Sequence, residues 1–246
     1  MAHARNESLN ERNPTLVKLP GLQTVYAHLD RLLAMSGVAG LYAITPQASD
    51  EAILLQQCAQ ALRGGARLLQ YRDKGSEGAA RLRVASALAA LCREHGAIFI
   101  VNDDVELALR SAAHGVHLGR DDAAIAAARR ALGPAAIIGA SCYDDLDLAA
   151  QAAASGADYL AFGSFFPSRV KPDAVRPSLA LLPEARRRFG LPLVAIGGIT
   201  PHNAASLIAA GADAVAVVTA VFGARDTLAA AQAFARLFRH NENIIS

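Results

Sequence analysis

The run Gln70-Tyr71-Arg72-Asp73-Lys74 places one amide and two cations at alternate positions. On an extended strand alternate residues share a face, so Gln70, Arg72 and Lys74 converge. An arginine fork beside a lysine point charge suits an anion with several oxygens. The same residues also read as a solvated charged loop. Asn102-Asp103-Asp104 and Gly119-Arg120-Asp121-Asp122 each follow another apolar run. Carboxylates beside a cationic site suit Mg²⁺, which takes one or two carboxylates together with phosphate oxygens. Each pattern alone also reads as a helix start, because Asp caps first-turn N–H groups. Gly197-Gly198-Ile199-Thr200-Pro201 and Val217-Val218-Thr219 offer backbone N–H groups to a phosphate, with Thr200 and Pro201 as cap and first turn of a helix. The stretch Ser164 to Pro177, carrying Ser168, Arg169, Lys171 and Arg176, is long for a compact fold and reads as a lid or binding loop.

These groups need a scaffold that brings scattered strand ends together. Apolar runs rich in Val, Ile and Leu recur near 38–45, 66–71, 97–101, 114–118, 136–140, 158–163, 192–197 and 213–218. Ala- and Leu-rich stretches with helical spacing lie between most of them, such as 50–63, 76–94, 144–155 and 201–210. Continuous apolar strands alternating with helices predict a parallel sheet buried on both faces. Eight such units predict an α/β fold, a single (β/α)₈ TIM barrel over residues 37–240, with its chemistry at the carboxyl ends of the strands. The loops after strands 7 and 8 are then the expected phosphate site. Gly64-Gly65-Ala66, Ser155-Gly156-Ala157-Asp158 and Ala210-Gly211-Ala212-Asp213 rhyme between a helix and the next strand, and read as turns on the opposite face. Residues 1–36 form an N-terminal extension. Leu22, Val25, Tyr26, Leu29, Leu32 and Leu33 within it predict a short amphipathic helix that covers a barrel end or meets another subunit. Residues 241–246 read as a C-terminal tail.

Composition narrows the partners. Of the residues, 53% are hydrophobic and 19% charged, a globular balance, and the net charge of +2 carries no long basic run that would favour nucleic acid. Arg186-Arg187-Arg188 reads as cations at a helix end facing water. Three cysteines without metal-ligand spacing fit a reducing cytoplasm. Neither a membrane span nor a secretory signal is expected. His114 and His117, three apart on a strand, point to opposite faces and cannot chelate one metal. Cys142 reads as a small core or rim thiol.

Taken in order, Gln70-Tyr71-Arg72-Asp73-Lys74, Asn102-Asp103, Gly115-Val116-His117-Leu118-Gly119 followed by Asp122, and Gly197-Gly198-Ile199 resemble the thiamine phosphate synthase family. The likeness runs from about Leu41 to Val221. It implies a cytoplasmic transferase of thiamine biosynthesis that condenses an aminopyrimidine pyrophosphate with a thiazole phosphate, or its carboxylated form. Pyrophosphate is released, with CO₂ from the carboxylated substrate. It further implies that Gln70, Tyr71, Arg72, Asp73, Lys74, Asn102, Ser141 and Lys171 bind the pyrimidine pyrophosphate, with Arg72, Lys74, Ser141 and Lys171 catalytic. Asp103 and Asp122 would hold Mg²⁺. Ser168, Arg169, Val170, Gly198, Val218 and Thr219 would lie against the thiazole phosphate. The family commonly has Thr at the position of Val170 and Ser at that of Thr219. Alternatives on the same fold are a thiazole tautomerase, which needs neither pyrophosphate nor Mg²⁺, and a catalytically silent binder of a phosphorylated ligand. The partners implied are small-molecule substrates, with neither nucleic acid nor membrane, and a homo-oligomer is compatible.

Overall fold

A computed structural model describes residues 37–48, 50–75, 77–119, 122–167 and 176–245, the side chains of 122, 123 and 240–245 excepted. The expected N-terminal helix and the middle of the long loop, residues 168–175, lie outside the described residues. In chain order the elements are β1 (Gly40–Ile44), α1 (Glu51–Arg63), β2 (Ala66–Tyr71), α2 (Gly78–Glu94), β3 (Ile98–Asn102) and α3 (Val105–Arg110). They continue with β4 (Gly115–Leu118), α4 (Asp122–Leu132), β5 (Ile137–Tyr143), α5 (Leu146–Ala154), β6 (Tyr159–Gly163) and α6 (Leu181–Arg188). The last are β7 (Leu193–Ile196), α7 (Pro201–Ala209), β8 (Ala214–Val217), α8 (Thr219–Phe222) and α9 (Thr227–Ile245). The strands close as one barrel in sequence order, β8 pairing with β1, and every pairing is parallel. Helix α9 packs against α1, α7 and β1 and completes the outer ring. It runs on to Ile245, into the stretch set apart as a tail.

The apolar runs form strands because both of their faces are buried. Leu41, Leu69, Phe99, Val116 and Leu160 point outward into the layer shared with the helices. Tyr42, Leu68, Ile100, Ile137, Tyr159 and Val194 point inward and fill the barrel. A barrel interior is packed rather than hollow, and here two of its largest occupants are phenols. Helix starts follow the sequence: Asp50, Asp104 and Asp145 each accept first-turn N–H groups, of Ile53, Leu107, and Asp147 with Leu148.

The rhyming turns sit at the strands' amino ends, and Gly65, Gly156 and Gly211 all adopt positive φ there. Two of them carry a further device. Arg129 of α4 donates to the Gly156 carbonyl at 2.9 Å and to Asp158 Oδ2 at 2.5 Å, and the same carboxylate oxygen accepts the Ile138 N–H at 2.7 Å. Two units later, Arg186 of α6 donates to the Gly211 carbonyl at 3.0 Å and to the Asp213 carboxylate, which accepts the Leu193 N–H at 2.7 Å. Arg186 therefore ties a helix to the turn before β8, beyond the solvent-facing role its sequence context suggests.

Candidate active site

Side-chain parity along β2 turns Gln70 into the barrel and Tyr71 outward into the helix-facing core, where Tyr71 is 2% exposed. Arg72 and Lys74 follow past the strand end, half-buried and exposed respectively. The loop after β1 holds them. Thr45, itself buried, accepts the Arg72 N–H at 2.9 Å, and Gln47 Oε1 accepts the Lys74 N–H at 3.0 Å. Asp73 folds the turn from inside: it accepts from Gln47 Nε2 at 2.6 Å, from the Tyr71 hydroxyl at 2.8 Å and from the Gly75 N–H at 2.8 Å. Burial first, and the Asp73 carboxylate second, push the Tyr71 phenol well above its ordinary range, so it stays a donor. Tyr71 and Asp73 thus shape the loop that presents the two cations. Among the described residues no carboxylate pairs with Arg72 or Lys74.

At the end of β3, Asn102 is half-buried and donates Nδ2 to Asp103 Oδ2 at 2.6 Å. Asp103 is exposed, with φ of 63°, a left-handed conformation that Asp tolerates better than most residues. Its N–H bonds the His117 carbonyl at 2.9 Å, which ties this corner to β4. Asp104 is committed elsewhere: Oδ1 caps α3 at Leu107 and Oδ2 pairs with Arg81 at 2.7 Å. Asp122 opens α4, so its backbone stands at the carboxyl side of β4, while its side chain lies outside the described residues. Strand β5 extends past the expected end and brings Ser141, half-buried, to the same rim, with Cys142 fully buried on the opposite face.

Across the mouth, loops 6 and 7 interlock. The Phe165 and Phe166 N–H groups bond the Ile196 and Gly197 carbonyls at 3.1 Å each. A side chain at Gly198, whose φ is +62°, would meet the Pro167 carbonyl oxygen at 2.4 Å, so only glycine permits this approach. Asn203 then fixes the start of α7, accepting the Thr200 N–H at 2.8 Å and donating to the Gly198 carbonyl at 3.2 Å. Val218 is half-buried after β8, and Thr219 is exposed at the first position of α8. Ser168, Arg169, Val170 and Lys171 lie outside the described residues.

Three residues beneath the site were not among the sequence-predicted site residues. Tyr42, Tyr159 and His117 point inward and join Gln70 to Ser141 through the barrel interior. Gln70 Nε2 donates to the Tyr42 hydroxyl at 2.8 Å, and the two phenol oxygens are 2.9 Å apart. Tyr159 Oη lies 2.9 Å from His117 Nδ1, and His117 Nε2 lies 2.8 Å from Ser141 Oγ. Burial pushes both phenols well above their ordinary range and lowers the His117 imidazole to about 4. The available signal was polar-tipped tyrosines in aliphatic strands, since a buried phenol requires a partner. His114, on the opposite parity as expected, accepts the Phe99 N–H at 2.9 Å.

One barrel end therefore carries two cations unpaired among the described residues, an exposed carboxylate, a rim serine and a glycine-built loop pair. A profile described as "Thiamine monophosphate synthase" matches residues 41–221. The thiamine-phosphate synthase of Chromobacterium violaceum is 58% identical over 201 residues, covering 82% of this chain and 97% of that protein. That of Thiobacillus denitrificans is 55% identical over 199 residues, covering 81% and 94%. The thiamine phosphate pyrophosphorylase structure from Pyrococcus furiosus superposes with a TM-score of 0.74 at 35% identity, covering 83% of this chain and 98% of that one. A hexulose-phosphate synthase structure at 18% identity and a TM-score of 0.61 shares the fold alone. With the profile reaching all eight strands and the relatives matched over nearly their full length, the chain belongs to the thiamine monophosphate synthase family.

Proposed function

We propose that the mouth of this barrel joins an aminopyrimidine pyrophosphate to a thiazole phosphate, forming thiamine phosphate and releasing pyrophosphate. The observation that carries the site assignment is the pair of cations, Arg72 and Lys74, positioned by Thr45 and Gln47 and left without a carboxylate among the described residues. The bond from the pyrimidine methylene carbon to the pyrophosphate oxygen breaks, and the thiazole nitrogen lone pair forms the new C–N bond. The electron-rich aminopyrimidine ring shares positive charge as the leaving group departs. The chain's work is to hold negative charge on that leaving group with donors oriented beforehand. Arg72 and Lys74 do this from loop 2, Ser141 from the rim, and Lys171 on the family's pattern. Gln70 and Asn102 hold the pyrimidine end. No protein nucleophile is required, which agrees with the full burial of Cys142.

Asp103 fits a Mg²⁺ site by its chemistry, an exposed hard oxygen donor steadied at one oxygen by Asn102. Asp122, from the adjacent strand end, is the second proposed ligand. Bound there, Mg²⁺ would neutralise charge on the pyrophosphate oxygens. Gly198, Val218 and Thr219, with Ser168, Arg169 and Val170, form the proposed thiazole-phosphate side. Among the described residues no helix is long and apolar enough to cross a membrane. We assign the enzyme to the cytoplasm, acting on small molecules, with residues 1–36 as an extension of the barrel domain. Pyrophosphate release with both substrates tests this reading: turnover should require Mg²⁺, and Asp103→Ala should reduce it severely without unfolding the chain. Absence of turnover by the natural chain would leave the silent-binder alternative instead.

A further inference from the structure

From the hydrogen count along the buried chain Gln70–Tyr42–Tyr159–His117–Ser141, we infer that Tyr42, Tyr159 and neutral His117 are positioning residues that fix the Ser141 hydroxyl as a donor into the barrel mouth. The inference rests on the proposed role of Ser141 at the pyrimidine pyrophosphate, and extends it to residues that touch no substrate.

Four contacts link the five side chains. Gln70 Nε2 supplies the hydrogen of the first. The three remaining contacts each need one hydrogen. A doubly protonated His117 would donate at both nitrogens and leave a buried phenol hydrogen without an acceptor, so the ring is neutral, and Tyr42, Tyr159, His117 and Ser141 carry one hydrogen apiece. One hydrogen is therefore surplus and must point out of the chain. It cannot belong to His117, because both ring nitrogens are engaged. If it belonged to Tyr42 or Tyr159, a phenol hydrogen would be buried without an acceptor. These residues are 1% and 0% exposed, and among the described residues no other acceptor contacts either hydroxyl. A buried donor left unsatisfied is strongly disfavoured, because its lost hydration is not replaced. Ser141 is half-buried at the rim, where its hydrogen can meet water or an acceptor.

The bonds therefore all run one way. Tyr42 donates to Tyr159, Tyr159 donates to His117 Nδ1, and the Nε2–H donates to Ser141 Oγ. With a lone pair of its oxygen taken by His117, Ser141 offers O–H outward, the polarity that suits a pyrophosphate oxygen. Packing holds the chain in place. His117 stacks on Tyr159 at 5.6 Å with 22° between planes, and Tyr42 meets Tyr159 edge-on at 6.1 Å. A Cβ at position 139 would come within 1.9 Å of the Tyr159 ring, so Gly139 makes its space.

The test begins with the full-length, uniformly ¹⁵N-labelled chain at neutral pH. Two-bond ¹H–¹⁵N correlation should show His117 as the Nε2–H tautomer. The signal is assigned by its loss in His117→Gln or, if that variant does not fold, by its proximity to the Tyr159 ring protons. An Nδ1–H tautomer or an imidazolium overturns the inference whatever the activity. Second, Tyr159→Phe removes one oxygen and should lower kcat roughly tenfold to a hundredfold, with the KM for thiazole phosphate unchanged. Adding Ser141→Ala to Tyr159→Phe should then cost much less than in the natural chain, because residues acting as one unit are non-additive. Fully additive losses overturn the positioning role. If the natural chain makes no thiamine phosphate while the Nε2–H tautomer is present, the proposed function fails and the hydrogen-bond direction stands.

Discussion

The two ends of this barrel handle charge in opposite ways. At the amino ends of the strands, Asp158 and Asp213 are each met by an arginine from a neighbouring helix and by a strand N–H. At the carboxyl ends, Arg72 and Lys74 are held by their backbones while their charged heads pair with no carboxylate among the described residues. Charge neutralised within the chain secures helices and strands to one another. Charge left over is available to a ligand. The two closed clamps also differ: the Asp158 side chain is 0% exposed and that of Asp213 33%, so equal chemistry should yield unequal stability.

The comparison is best broken at the mouth first. Arg72→Ala and Lys74→Ala should each lower turnover by roughly 10²–10³-fold, the range for loss of one oriented charge-stabilising donor. Thermal unfolding should barely move, since neither charge supports the fold. A large drop in Tm with normal turnover of the folded fraction would place these residues in the stability class instead.

The reverse outcome is expected at the other end. Asp158→Ala strips a buried partner from Arg129 and a cap from Ile138, and should cost about 3 kcal/mol, the lower end for a broken buried pair. The Gly133, Ala136 and Gly156 carbonyls keep Arg129 partly satisfied. Asp213→Ala, more exposed and screened by solvent, should cost about 1–2 kcal/mol. Urea unfolding measures both, and kcat of the folded enzyme should stay normal. Equal losses would remove the distinction between the clamps.

Acid should act through groups on both sides of the comparison. Burial holds His117 neutral down to about 4, and burial followed by the Arg93 charge lowers His114, against an ordinary value of 6.5. Between those limits the unfolded chain binds more protons than the folded one, so stability falls as pH drops. Above neutrality the contribution is fully present, and near pH 4 His117 alone should have lost on the order of 3 kcal/mol. Unfolding free energies in chelating buffer at pH 7 and pH 5 check the sign. A His117→Gln variant that folds should show a shallower slope, and an unchanged slope would remove His117 as the cause.

The smallest effect is expected at Val170, where threonine would restore a hydroxyl near the proposed thiazole phosphate. Val170→Thr should lower the KM for thiazole phosphate by up to about tenfold, consistent with one hydrogen bond to a charged group. The pyrimidine KM should hardly change. A change confined to the pyrimidine KM would move that loop to the other substrate.

Much of this was legible in the residues themselves. Continuous apolar runs with intervening helical spacing were enough for eight strands in a barrel, because burial on both faces suits a parallel sheet and eight such units suit its closure. Two-residue periodicity likewise turned Gln70 into the barrel and parted His114 from His117. Asp104, in a run that also read as a helix start, caps α3 through a purely local bond. Spacing could not assign Asp73 to shaping its own loop, because its partner Gln47 lies 26 residues away. Nor could it turn Arg186 from solvent onto Asp213, 27 residues on. The contact between Tyr42 and Tyr159 spans 117 residues and exists only once the sheet closes. Periodicity decides which way a side chain faces; barrel closure decides what it meets there, and the direction of a hydrogen bond depends on every partner being present at once.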